Sequence, residues 1–302
     1  MTRPTDPFSG VYPAMTTPFG PDDSIDFEQL RADARRLESA GVDGLVPVGS
    51  TGESATLTHD EHVEVVATVA DTVDVPVVAG AGSNATREAL ELARRSVDAG
   101  ADALLLISPY YNKPEPAGIE RHYRTIADEV DVPQIVYNVP SRTGRPVPIE
   151  TVESLADHEN VAGYKAASGD LGRIGEVIER TRDRAFSVLS GDDFLTLPTL
   201  SLGATGTISV AANVEPERVS AMVAAARDDE FERARHHHEA LAPLFRALFA
   251  ETNPIPVKEA MEIRGYGPAA VRSPLTRLSD RNRAELAGIL GELEGEPSEV
   301  HP

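Results

Sequence analysis

A (β/α)8 barrel with a C-terminal helical extension is the fold this sequence predicts, on three observations. Eight short apolar runs recur along the chain, amphipathic stretches separate them, and the strand signal stops near residue 228. The runs are VYPAM (11–15), LVPV (45–48), PVVA (76–79), ALLLI (103–107), QIVY (134–137), VAGYK (161–165), FSVL (186–189) and GTISV (206–210). All are rich in Val, Ile or Leu, as strands covered on both faces are. The stretches FEQLRADARRLESAG (27–41), HDEHVEVVATVADTV (59–73) and REALELARRSVDAG (87–100) carry apolar residues at helical spacing, and glycine follows two of them. Alternating strand and helix implies a parallel sheet, and eight units over some 220 residues fit a closed barrel better than an open doubly wound sheet.

Beyond residue 228 the segments 230–251, 256–265 and 280–295 read as helices. The expected division is therefore a barrel over residues 1–228, holding the catalytic site, and a helical domain over 229–302. The last residues, EPSEVHP, are expected to fray.

The formal net charge of -21 and a pI near 4.7 argue against nucleic acid and anionic membrane as partners. Excess acid and scarce lysine resemble proteins adapted to high salt, where screening removes self-repulsion. Cysteine is absent, which excludes disulfides and thiolate metal sites. The N-terminal MTRPTDPFSG lacks the apolar core of a signal peptide, and no apolar run approaches the ~20 residues of a membrane span. The expectation is a soluble, cytoplasmic protein.

In a barrel of this kind catalytic groups sit at the carboxyl ends of the strands. Those ends carry Thr16 and Thr17, Ser50 and Thr51, Ser83 and Asn84, Tyr110 and Tyr111, Tyr137 and Asn138, Lys165, Gly191 and Asp192, and Ser209. The chain has three lysines, Lys113, Lys165 and Lys258, among 28 basic residues, so each invites a reason. Lys113 lies in a polar loop before a proline and reads as solvated. Lys258 starts a helix after NPIPV and reads as a salt-bridge or interface residue. Lys165 alone ends a barrel strand. Removal from water lowers an amine's pKa, and a neutral amine beside a carbonyl compound forms an imine. From position alone that reading and a structural one, a lysine paired with a carboxylate such as Asp192, stand equally open. Tyr137 ends the preceding strand, within reach of an adduct on Lys165, and a phenol linked to Ser50 and to Tyr111 could shuttle the protons that imine chemistry requires.

VGSTGESATLTHDEH (48–62), SPYYNKP (108–114), YNVPSRTG (137–144), GYKAASGD (163–170), SGDD (190–193), GATGTISVAANV (203–214) and NPIPVK (253–258) closely resemble the dihydrodipicolinate synthase family. These are pyruvate-dependent Schiff-base lyases built on a barrel with a C-terminal helical segment. The likeness runs in order from about Gly10 to about Leu278. It implies that Lys165 forms an imine with pyruvate, that Ser50 and Thr51 hold the pyruvate carboxylate, and that Tyr137, Ser50 and Tyr111 form a proton relay, with Tyr111 supplied by a partner subunit. The enamine would attack L-aspartate 4-semialdehyde, a step of the diaminopimelate and lysine pathway, with Arg142 binding the carboxylate of that substrate. Gly191 and Ile208 match positions beside the imine. No cofactor or metal is implied beyond the covalent lysine adduct, and the family is usually tetrameric.

The same resemblance implies a pocket for inhibitory L-lysine at Ser54, Ala55, His59, His62, Asn84, Glu88 and Tyr110. Two positions depart from the family pattern. Serine stands at 50 in place of the usual threonine, which keeps the hydroxyl but loses the methyl that stiffens χ1. Alanine stands at 166 where many members have glutamate.

Rival readings attach to particular residues. HDEH (59–62) has histidines three apart, whereas the metalloprotease pattern needs four. HHH (236–238) lies in a charged helix and points three ways around it. GAGSNA (80–85) fits the G-x-G-x-x-A dinucleotide fingerprint, with Asp102 about 20 residues on, and supports an NAD-dependent oxidoreductase; against it, the match falls in the third unit instead of the first. A 2-keto-3-deoxygluconate-type aldolase of the same family and a catalytically dead barrel complete the alternatives.

Overall fold

The computed structural model describes residues 6–295; the tail predicted to fray, 296–302, lies outside them. Seven strands form one parallel sheet: β1 (Gly10–Pro13), β2 (Val78–Gly80), β3 (Ala103–Ile107), β4 (Gln134–Asn138), β5 (Val161–Ala166), β6 (Ser187–Ser190) and β7 (Gly206–Ser209). Their order is β1-β7-β6-β5-β4-β3-β2.

The predicted run 45–48 is not a regular strand, yet it closes the ring. Val46 N donates to Pro13 O at 2.9 Å, and Leu45 N to Pro76 O at 2.9 Å, so this segment bridges β1 and the start of β2. Pro47 has no N–H to extend the ladder. Val48 then turns to φ +50°, a conformation that β-branched residues seldom adopt. This eighth member is pulled out of strand geometry where it enters the loop bearing Ser50 and Thr51.

The barrel is wrapped by α1 (Phe27–Ser39), α2 (His59–Ala70), α3 (Thr86–Asp98), α4 (Pro116–Glu129), α5 (Pro140–Thr143), α6 (Ile149–Leu155), α7 (Leu171–Thr181), α8 (Thr196–Ser201) and α9 (Pro216–Arg227). Local chemistry sets their starts. Asp26 accepts from Gln29 N to cap α1, Thr58 and Glu61 form a reciprocal capping box on α2, and Asp170 accepts from Arg173 N to cap α7. Leu30, Ala34 and Leu37 of α1 are fully buried, and each leucine contributes about 1.5–3 kcal/mol. This outer face of the sheet meets the helices in one large core that includes Leu104, Leu106, Val136, Tyr164 and Ala166. A separate cluster fills the barrel interior: Val46, Val78, Leu105, Ile135, Tyr137, Leu189 and Ile208.

Three more helices follow, α10 (Phe231–Ala247), α11 (Ile255–Ile263) and α12 (Asp280–Gly295). Their core joins Leu241, Leu244, Phe245 and Leu286 to Val11 of β1, Leu200 of α8 and Val219 of α9. They are thus packed on the barrel, with the α10–α11 connection at its mouth.

Two features noted in the sequence acquire packing explanations. A Cβ on Gly80 would lie 2.4 Å from Val48 O, and one on Gly82 2.4 Å from Ile107 N, so the GAGSNA glycines let neighbouring barrel segments approach. His238 of the HHH run packs its ring against Phe194 and Phe245.

Candidate active site

On β5, Tyr164 and Ala166 face outward under the helices, and side chains alternate along a strand, so Lys165 between them faces inward. Ala166 is 1% exposed, in a position where a glutamate would lie among apolar groups. Lys165 pairs with Tyr137 on β4 and with Leu189 on β6. It is 6% exposed, and burial lowers its amine to about 7, opposed by the charge of Asp193 and assisted by that of Arg142. A Cβ on Gly191 would meet Lys165 Cε at 2.9 Å, so glycine is what lets the β6 loop close over the lysine stem.

The carboxylate that the amine senses is Asp193, not Asp192 as considered from the sequence. Asp192 turns to its own loop, where Oδ1 accepts from Phe194 N at 3.0 Å. Asp193 is buried and accepts from the Ser209 hydroxyl, from Val210 N at 3.1 Å and from Ala211 N at 3.0 Å. Within an SGDD run, alternation does not reveal which acid turns inward, so its role was not legible beforehand.

Burial raises the phenol of Tyr137, which keeps its proton, and the Ser50 side chain stands beside it on the same cavity wall. Thr51 is buried, and its Oγ1 accepts from Asn253 Nδ2 at 2.9 Å. The loop is anchored from below, because Thr17 Oγ1 donates to Gly52 O at 2.7 Å. Glu53, at φ +53°, pairs with Lys258 of α11 and accepts from Arg272 N at 3.1 Å. Lys258 is thus a salt-bridge residue, and Lys113 lies exposed. Arg142, in α5, donates through Nη2 to Asn253 O at 2.8 Å. Asn253 therefore ties the second-unit loop and the α5 arginine to the C-terminal helices. It belongs to the NPIPVK motif, but spacing alone gave it no role.

These groups line a cavity of about 670 Å3 that contains Ser50, Thr51, Tyr137, Arg142, Lys165 and Gly191. Ile208 lies one layer below in the barrel interior, and Val210 forms the wall on that side. Tyr111 is 90% exposed at φ +67° and reaches neither cavity of its own chain.

A second cavity of about 550 Å3 shares Ser50, Tyr137, Arg142 and Asn253 with the first. Ser54, Ala55, His59, His62, Glu88 and Tyr110 line it. Asn84 stays at its edge, its carbonyl accepting from Asn112 Nδ2 at 3.1 Å, while Ser83 lines the wall and donates to Glu88. His59 pairs with Glu88 at 3.1 Å. His62 is buried and lowered to about 4, so its neutral ring donates from Nε2 to Gly80 O at 2.7 Å. The two histidines of HDEH thus face different partners, and among the described residues no three His, Asp or Glu side chains gather as a metal would need.

An inward, partly neutral amine beside a protonated phenol and a guanidinium is suited to capturing an anionic carbonyl compound as an imine. Comparison with known proteins points the same way. A 4-hydroxy-tetrahydrodipicolinate synthase of the halophile Haloarcula marismortui is 68% identical over 293 residues, covering 97% of this chain and 96% of that protein. The dihydrodipicolinate synthase of Acinetobacter baumannii, solved as a complex with pyruvate, superposes with a TM-score of 0.92 at 38% identity, over 95% of this chain and 99% of that one. The enzyme of Cyanidioschyzon merolae, solved with lysine bound, gives 0.91 at 38% identity, over 95% and 98%. The sequence model of the Dihydrodipicolinate synthetase family matches residues 7–293. With the barrel, the buried lysine and this match in agreement, the chain is a member of that family.

Proposed function

We propose that this protein is a lyase that condenses pyruvate with L-aspartate 4-semialdehyde, as its relatives named 4-hydroxy-tetrahydrodipicolinate synthase do. The observation that carries the reading is Lys165: a strand-end amine, buried and lowered to about 7, opening into a cavity with Tyr137, Ser50 and Arg142. The neutral amine attacks the keto carbon, and the carbinolamine loses water as a proton arrives from the Tyr137–Ser50 relay. The iminium gives up a C3 proton to become an enamine, which attacks the aldehyde. The amino group of the second substrate then closes the ring on C2 and expels Lys165.

In this reading Ser50 and Thr51 hold the pyruvate carboxylate, Gly191 shapes the wall beside the imine with Ile208 supporting it from the layer below, and Arg142 takes the carboxylate of the semialdehyde. Tyr111, exposed on its own chain, completes the relay of a second subunit in a homotetramer. The nitrogen of Lys165 activates the keto acid, so no external cofactor is required. The second cavity binds L-lysine as feedback inhibitor through Ser54, Ala55, His59, His62, Asn84, Glu88 and Tyr110. We also assign residues 1–228 to the barrel and 229–302 to a helical domain, and place the enzyme in the cytoplasm of a salt-adapted cell; no described helix is long and apolar enough to cross a membrane.

Borohydride reduction with pyruvate, followed by peptide mass spectrometry, tests the first step: a reduced adduct on Lys165, absent in Lys165→Ala, is expected. Comparing rates with aspartate semialdehyde and glyceraldehyde in molar salt tests the second. A faster reaction with glyceraldehyde would overturn the assigned acceptor in favour of a sugar-acid aldolase.

A further inference from the structure

We propose that Asp193 is the fixed counter-charge of the Lys165 adduct, a positioning residue that holds the nitrogen cationic through the imine stage. This rests on the proposed imine chemistry and adds a residue to it.

Condensation of the neutral amine with a keto acid consumes one proton and releases one water, leaving a positive charge on nitrogen; loss of the C3 proton then returns it to neutral. A buried charge without compensation is costly. Asp193 is 2% exposed and follows Gly191, whose closeness to the Lys165 stem brings this loop against the lysine. Its carboxylate is held by the Ser209 hydroxyl and by the amides of Val210 and Ala211, and Ser209 in turn accepts from Ala212 N at 2.9 Å. Donors of that kind favour the ionised acid, against a burial that raises it to about 6. The carboxylate is therefore mostly charged at neutral pH and has no freedom to swing away.

The other charged or titratable groups around the amine are Arg142 of α5, Tyr137 of β4, and Asp192 and Glu251 on the cavity wall. Asp192 is committed to Phe194 N, and Glu251 accepts from Ser279 and Asn282 at the start of α12. His238 of α10 packs on Phe194, the residue after Asp193 in the chain. Of the acids near the amine, Asp193 is the one fixed behind the strand ends.

The test is the pH dependence of the borohydride-trapped pyruvate adduct on Lys165, read by peptide mass spectrometry in native protein, Asp193→Asn and Ser209→Ala. Asp193→Asn removes the charge that favours the protonated amine, so the acid limb of the trapping rate should move down by about one pH unit, and the adduct fraction at pH 8 should fall about tenfold. Ser209→Ala removes one bond that keeps Asp193 ionised, so its limb should move the same way by less. Both variants loosen the same turn, so a merely structural role lowers the height of the profile and leaves its position alone. Profiles that change in height only would overturn the proposal, and Ser209→Ala decides it alone if Asp193→Asn does not fold. An adduct absent from the native protein would overturn the imine reading itself, an outcome distinct from either.

Discussion

Tyr137 and Lys165 stand opposite each other on neighbouring strands, and the lysine amine lies 4.3 Å from the centre of the phenol ring. One interaction between them favours charge and another opposes it. The face of the ring attracts a cation, while the dry surroundings penalise one. The penalty prevails for the free amine, which sits near 7. Once an imine forms, the same ring face meets a delocalised cation.

Replacing Lys165 by methionine should abolish the pyruvate adduct and stabilise the fold. In the unfolded chain the amine is protonated up to about pH 10.4; in the folded chain it is protonated only below about 7. Between those values the unfolded state binds more protons, so this group makes stability rise with pH across that window. The advantage of the methionine variant should therefore be full below pH 7, on the order of 4 kcal/mol, and fade toward pH 10. Denaturant unfolding at pH 7 and pH 10 measures both; no gain at pH 7 would mean that the amine is hydrated.

Tyr137→Phe keeps the ring and removes the phenol. The hydroxyl's contact is with Ser50, so the protein should fold as before. Turnover should fall by about 10²–10⁴, the size of a lost acid–base group, while borohydride still traps a slowly formed adduct. Ser50→Thr restores the χ1-stiffening methyl at the next position of the proposed relay and should leave activity equal or higher. An inactive threonine variant would mean that the cavity has been rebuilt around serine.

The buried pair of Glu53 and Lys258 links the Ser50–Thr51 loop to α11. Removing one partner leaves an uncompensated charge, so Lys258→Met should cost about 3–5 kcal/mol. Changing both, with Glu53→Gln added, should recover much of that loss. Because the loop carries proposed pyruvate contacts, the single variant should also raise KM for pyruvate more than it lowers kcat. Additive stability losses in the double variant would show that the pair does not act as a unit.

Much of this was legible in the sequence because barrel chemistry sits where strands end. The apolar runs located all eight barrel segments, and Lys165, Tyr137, Ser50, Thr51, Arg142 and Gly191 line one cavity. What was not legible depends on contacts far apart in sequence. Asp193 becomes meaningful only when β7 supplies Ser209 and the amides after it, 16 to 18 positions on. Asn253 reaches Thr51 across 202 positions. Nor does apolar content reveal that Pro47 and Val48 break the ladder in the second segment.

In the proposed reaction Arg142 separates the recognition of the second substrate from the chemistry of the first. One arm of its guanidinium is engaged, donating to Asn253 O at 2.8 Å, which fixes the direction of the fork over the cavity. Lysine in its place would keep the positive charge but could not hold that carbonyl and grip a carboxylate with two parallel bonds. Losing one charge-assisted hydrogen bond is worth about 1.5–3 kcal/mol, so Arg142→Lys should lower kcat/KM for aspartate semialdehyde by about 10–100-fold. Pyruvate adduct formation should be nearly unchanged. Arg142→Gln removes the charge as well, and that charge holds the Lys165 amine down. Its loss raises the amine, so less of it is neutral at pH 7, and the acid limb of adduct formation moves to higher pH. Steady-state rates with each substrate varied, alongside trapping across pH, separate the two effects. Equal pH profiles for the lysine and glutamine variants would mean that the guanidinium acts on substrate alone.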